Sequence, residues 1–128
     1  MKRLADYTVQ EAYDGIIKWF SKPGRGLGYF TDDAGVVVCE YRTNDGARCA
    51  VGCLVSDEEY ESTGWMIDNL TVADSALYMR LDLCGFLIDA QSIHDFAAAH
   101  DTGVDQVSAF LTRMKIAFPD LEENRRAS

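Results

Sequence analysis

The sequence predicts an α+β fold, because strand-like and helix-like segments are segregated along the chain rather than alternating. One amphipathic helix comes first, then two or three short β-rich runs, then a half that reads as helix throughout. The 128 residues are 48% apolar and 11% aromatic with two prolines, which supplies one normal core and excludes a disordered composition. No repeat, linker or low-complexity run divides the chain. Residues 1–119 are therefore expected to form a single domain, and the polar residues 120–128 a frayed tail.

The first helix is announced by Thr8-Val9-Gln10-Glu11, a capping box in which Thr8 and Glu11 satisfy each other's backbone N–H groups. Val9, Ala12, Tyr13, Ile16, Ile17 and Phe20 then fall on one stripe. Pro23-Gly24-Arg25-Gly26-Leu27-Gly28 cannot continue that helix. Val36 to Arg42 is β-rich, and Asn44-Asp45-Gly46 tolerates positive φ, so a hairpin is expected over 36–53 with a second strand from Arg48 to Val51 or beyond. Tyr29-Phe30-Thr31 offers a third strand through the Asp32–Gly35 turn.

Helix signals follow. Ser56-Asp57-Glu58-Glu59 is a second capping box, Met66 to Leu70 fits one or two helical turns, and Thr71-Val72-Ala73-Asp74 is a third box leading into Leu77, Tyr78 and Leu81. Gly85 is expected to break that run. Phe86, Leu87, Ala90, Ile93, His94, Ala97 and Ala98 make another stripe. Val104, Val107, Phe110, Leu111, Met114, Ala117 and Phe118 make the last, stopped by Pro119.

The net charge of −9 is unevenly spread. From Cys49 to Thr112 the one basic residue is Arg80, against eleven acidic residues that include Asp57, Glu58, Glu59, Glu61 and Asp68. Such a stretch repels phosphates, which argues against direct nucleic-acid binding, and it suits a basic protein partner. No apolar run reaches the roughly 18 residues that span a bilayer, and the N-terminus has no apolar segment of the signal-peptide kind. A cytoplasmic protein with its four cysteines reduced is the expectation.

Three constellations bear on chemistry. Cys49-x-x-x-Cys53 lacks zinc-knuckle and thioredoxin spacing, and His94 and His100 do not share a helix face, so no metal or cofactor is expected. A thiol enzyme would use Cys49 or Cys53 as nucleophile and His94 as base, oriented by Asp95 or Asp89. Adjacent helical positions point about 100° apart, so Asp95 is expected not to reach His94. Arg25, Arg42 and Arg48, with Tyr29, Phe30 and Tyr41 nearby, suit a phosphate-bearing nucleotide. Arg42 and Arg48 flank the turn, where they repel unless an anion or a carboxylate such as Asp45 intervenes.

Tyr41-Arg42, Asp45-Gly46, Cys49-Ala50-Val51-Gly52-Cys53-Leu54 and Glu59-Tyr60 give the chain a resemblance to a family of small, uncharacterised bacterial, prophage and phage proteins. Members also carry a Leu-Gln-x-x-His-Asp helix. Here it reads Ala90-Gln91-Ser92-Ile93-His94-Asp95, and Ser62-Thr63-Gly64-Trp65 stands where the family has Met-Glu-Gly. The resemblance covers about a quarter of the chain and implies a phage or mobile-element setting.

Three readings follow. The first is a non-enzymatic accessory protein that inhibits a host defence component, its acidic residues Asp57, Glu58, Glu59, Glu61 and Asp68 covering a basic nucleic-acid-binding surface. The second is a binder of a nucleotide signal through Arg25, Tyr41, Arg42 and Arg48. The third is the thiol enzyme with Cys49 or Cys53 and His94. Trp65 and Met66 beside Gly64 also suggest a surface for a homodimer or a partner.

Overall fold

A computed structural model describes residues 2–63, 75–101, 103 and 105–128. The expected turns over 66–70, the capping box at 71–74, Val104, and the Trp65–Met66 surface lie outside the described residues.

A 3-10 turn over Leu4–Asp6 precedes α1, Val9–Phe20. The capping box forms as expected, with Thr8 Oγ1 accepting from Glu11 N–H at 3.0 Å and Glu11 Oε1 from Thr8 N–H at 2.9 Å. The stripe of α1 buries Ala12, Tyr13, Ile16, Ile17 and Phe20.

The α+β architecture holds, with one antiparallel pair as its sheet. Strand β1, Tyr29–Thr31, pairs with β2, Val37–Cys39, in the register Tyr29 to Cys39 and Thr31 to Val37. Asp32 Oδ1 closes their turn by accepting from Ala34 and Val36 N–H, both at 2.9 Å, and Gly35 supplies the positive φ of 81°. The main hairpin is therefore the 29–39 pair. Across Asn44-Asp45-Gly46 the antiparallel pairing narrows to a single bridge between Arg42 and Arg48.

The expected second strand curls into a tight turn after Arg48. Cys53 N–H reaches Cys49 O and Leu54 N–H reaches Val51 O, both at 3.0 Å. The reason is burial: Cys49, Ala50 and Val51 are all fully buried, whereas a half-buried strand would turn every second side chain outward. Gly52 completes the turn because a Cβ there would strike the Tyr41 backbone.

Five helices follow among the described residues. Helix α2, Asp57–Thr63, starts on the expected Ser56–Glu59 box, with Ser56 Oγ 3.2 Å from Glu59 N–H. Helix α3 is the single turn Ser75–Tyr78. Helix α4, Leu81–His100, runs without interruption through Gly85; the chain breaks at Met79-Arg80 instead. A helical glycine costs about 1 kcal/mol relative to alanine, much less than α4 gains by burying Leu83, Phe86, Leu87, Ala90, Ala97 and Ala98.

Helix α5, Gln106–Ala117, is capped by Asp105, whose carboxylate accepts from Val107 and Ser108 N–H at 3.1 and 3.2 Å. The tail is not frayed. Pro119 ends α5 and opens α6, Pro119–Ala127, since its preset φ suits a first helical position. Gln10 Nε2 donates to Leu121 O at 2.9 Å and Tyr13 Oη to Glu122 Oε1 at 3.0 Å, which seats α6 on α1.

The core lies among α1, α4 and α5. Phe20 meets Phe110 edge-on at 5.0 Å, Tyr13 meets Phe118 at 6.1 Å, and Leu83, Leu87 and Met114 are fully buried around them. No helix among the described residues is long and apolar enough to cross a membrane.

Candidate functional site

The histidine that the thiol reading relies on lies at the centre of a buried network. His94 is fully buried, and its Nε2 accepts from Gly28 N–H at 3.1 Å. That bond assigns the proton to Nδ1, which donates to Asp95 Oδ1 at 2.9 Å. The expectation that Asp95 cannot reach His94 is overturned: Asp95 is half-buried, and its carboxylate leans along the helix to the ring.

Gln91 extends the network. Its Oε1 accepts from Val51 N–H at 3.2 Å, and its Nε2 donates to Asp95 Oδ1 at 2.9 Å and to Cys39 Sγ at 3.0 Å. The Gln91-x-x-His94-Asp95 segment thereby fixes α4 to the Cys49–Leu54 turn and to β2. Both His94 nitrogens are engaged, and neither Cys49 nor Cys53 is among their partners. The cysteine tied to this network is Cys39.

The thiols themselves are poorly ionised. Burial raises Cys49 well above its ordinary value, and the neighbouring Cys39 thiol adds to this against one opposing Gly52 N–H. Burial raises Cys53 as well, with Arg48 opposing. Among the described residues no three His, Cys, Asp or Glu side chains converge to hold a metal ion.

The arginines do converge. Arg25 lies over the Trp19 ring at 3.5 Å from its centroid, and Arg48 lies 4.5 Å from the same centroid. Trp19 is placed by α1, Arg25 by the glycine-rich connector, and Arg48 by its bridges to Leu27 and Arg42. Arg42 is compensated by Asp57 at 2.5 Å and Val55 O at 3.0 Å, and it covers the Tyr60 ring at 4.6 Å. Asp45, the expected counter-charge, instead accepts from Thr43 Oγ1 and Ala47 N–H within its own turn.

Among the described residues, Arg25 and Arg48 have no carboxylate within 4.0 Å, and Trp19 Nε1 is buried with no hydrogen-bond partner. Burial pulls the Arg48 guanidinium below its ordinary value, and the Arg42 and Arg25 charges pull it further, with Asp57 opposing. The site is thus a group of donors under mutual repulsion.

Arg48 opens onto a cleft of about 310 Å³ lined by Lys2, Tyr7, Arg42, Cys53 and Asp57 among others. Lys2 is held by Glu11 at 2.7 Å and covers the Tyr7 ring at 4.6 Å. A larger hollow of about 620 Å³ beside Gly26 carries Glu40 and Asp45 and no basic side chain, so it is the wrong place for an anion.

Tyr41 does not join the site. It is 2% exposed, packed in the core beneath the Cys49–Leu54 turn, and lines no part of the cleft. Sequence reasoning missed Trp19, Tyr7 and Lys2. The one available signal was Trp19 itself, a large aromatic off the core stripe of α1 and six positions before Arg25.

Among the described residues, the expected acidic set does not act as one patch. Asp57 is spent on Arg42. Glu59 accepts Leu4 N–H at 3.1 and 3.2 Å and caps its own helix. Glu58 is exposed, while the Glu61 side chain and Asp68 lie outside the described residues.

Compared with protein-family models, with curated proteins and with solved structures, the chain matches none.

Proposed function

We propose that this protein binds a small phosphate-bearing ligand, a nucleotide by chemical class, at the cleft beside Arg48. One observation carries the reading: two guanidiniums, Arg25 and Arg48, share the Trp19 ring with no carboxylate within 4.0 Å of either among the described residues. Arg48 is partly desolvated and repelled by the Arg42 and Arg25 charges, and a phosphate in the cleft accepts from Arg48 in fork geometry and offsets that repulsion, while Arg25 and Trp19 do not line the cleft. The cleft volume lies at the lower end of the range for small-ligand sites, and Tyr7 gives a base an aromatic wall.

The test is titration calorimetry of the protein against a panel of mono-, di- and cyclic nucleotides and inorganic phosphate. At least one nucleotide should bind one-to-one, and Arg48→Gln should weaken it about tenfold or more. A flat response across the panel overturns the reading.

Inhibition of a basic host protein, the phage-type role, is the second reading. It finds little support in α2, but one feature elsewhere favours it: α4 presents a second apolar face, edged by aspartates, to solvent.

A further inference from the structure

Helix α4 is apolar on opposite sides. Its buried face carries Leu83, Phe86, Leu87, Ala90, Ala97 and Ala98 against the core. Diametrically opposite, at a 3.6-residue period, lie Leu81, Gly85, Ile88, Ser92, Phe96 and Ala99. Leu81 is 79% exposed, Ile88 53% and Phe96 47%. A helix with two opposite apolar faces ordinarily buries both. This one leaves a stripe about 27 Å long facing solvent, in the form that marks a protein contact rather than scattered surface leucines.

The edges of the stripe are acidic. Asp82 and Asp89 flank it on one side and Asp95 on the other. The nearest basic side chains are already matched within the chain, Arg80 to Asp82 at 3.1 Å and Arg113 to Asp101 at 2.9 Å. Asp89 has no ion-pair partner among the described residues. At its C-terminal end the stripe adjoins a groove of about 300 Å³ between α4 and α5, lined by Ser92, Ile93, Phe96, Arg113 and Ala117.

We infer that the outer face of α4 docks a basic amphipathic helix of another protein, leucine-like side chains seated along Leu81, Ile88 and Phe96 and lysines or arginines meeting Asp89 and Asp95, Asp82 being matched to Arg80. Charge complementarity selects this occupant. A second copy of the chain fits worse, because the antiparallel pairing that sets Leu81 against Phe96 brings the same edges of the two stripes together near their centre and crowds the two Asp89 carboxylates. The inference deepens the partner-binding reading, moves its acidic surface from α2 to α4, and is independent of the Arg48 cleft.

The test uses a dye-labelled synthetic helix of about 18 residues, leucines on one face and lysines on the other, and its glutamate counterpart, followed by anisotropy at physiological salt. The lysine peptide should bind and the glutamate peptide should not. Ile88→Lys should weaken binding about tenfold and Asp89→Asn about threefold, while Asp33→Asn, the same charge change in the β1–β2 turn, should leave it unaltered. No binding of the lysine peptide overturns the inference. So does equal weakening by Asp33→Asn and Asp89→Asn with none from Ile88→Lys, which is diffuse attraction. A dimer in sedimentation equilibrium that Ile88→Lys dissociates overturns it too, because a second copy then covers the stripe. Nucleotide calorimetry stands apart from each of these outcomes, so failure here and failure of the cleft are separable.

Discussion

His94 Nε2 accepts the Gly28 N–H at 3.1 Å, joining α4 to the glycine-rich connector across 66 positions of chain. The same N–H also reaches Arg48 O at 2.9 Å, so one backbone group ties the histidine to the strand-like segment that carries the site arginine. His94 is therefore a structural residue that holds up the guanidinium cluster from behind. His94→Leu should cost about 2–3 kcal/mol in urea unfolding, because it removes one of the two donors to the half-buried Asp95 carboxylate, Gln91 keeping the other, and one acceptor of Gly28. A variant as stable as the parent would remove His94 from this role.

Two glycines should respond in opposite directions. Gly52→Ala places a Cβ on the Tyr41 carbonyl and Cα and should cost about 3 kcal/mol or more, since backbone on both sides must move. Gly85→Ala meets open space on an exposed helix face and should add about 0.5–1 kcal/mol. Thermal or urea midpoints of the two variants decide both.

Glu122 gives the acid limb of stability a definite shape. Its hydrogen bonds from Arg125, helped by Tyr13, hold its carboxyl down to about 2 from an ordinary 4.5. The folded state thus binds that proton more weakly than the unfolded chain does. The stabilisation is complete above about pH 4.5 and is lost as pH falls towards 2. Glu122→Gln should be less stable than the parent at neutral pH and converge with it near pH 2. A constant gap from pH 7 to pH 2 would contradict the assignment.

The thiol chemistry can be checked directly. With burial raising both Cys49 and Cys53, alkylation of either at pH 8 should run about tenfold or more slower than that of a free thiol, and unfolding in urea should abolish the difference. A cysteine faster than free thiol would restore the enzymatic reading.

The parts of the fold written in local signals were legible. The boxes at Thr8 and Ser56 formed because each pairs a hydroxyl with a carboxylate three residues on, and the stripe of α1 needed nothing beyond its own period. Elements decided by distant contacts were not. Gly85 reads as a breaker until the core face of α4 outweighs it. Arg48 to Val51 reads as a strand until three consecutive side chains are buried together. Residues 120–128 read as a polar tail until Gln10 and Tyr13 supply partners from α1.

The candidate site divides the same way. Arg25, Arg42 and Arg48 were visible as residues, but which of them would be neutralised depended on Asp57 in space, not on the neighbouring Asp45 in sequence. Trp19, the ring that gathers Arg25 and Arg48, is declared by no motif. Asp95 reaches His94 by a side-chain lean that helical wheel angles do not contain.

Trp19, the ring shared by Arg25 and Arg48, can report directly on the proposed anion site. The chain has two tryptophans, so Trp65→Phe leaves Trp19 as the single emitter. Its emission should shift saturably as a nucleotide from the calorimetric panel is added, more weakly at high salt, and Arg48→Gln in the same background should abolish the shift. Emission that stays constant for every nucleotide, or a shift that Arg48→Gln leaves intact, would contradict the site.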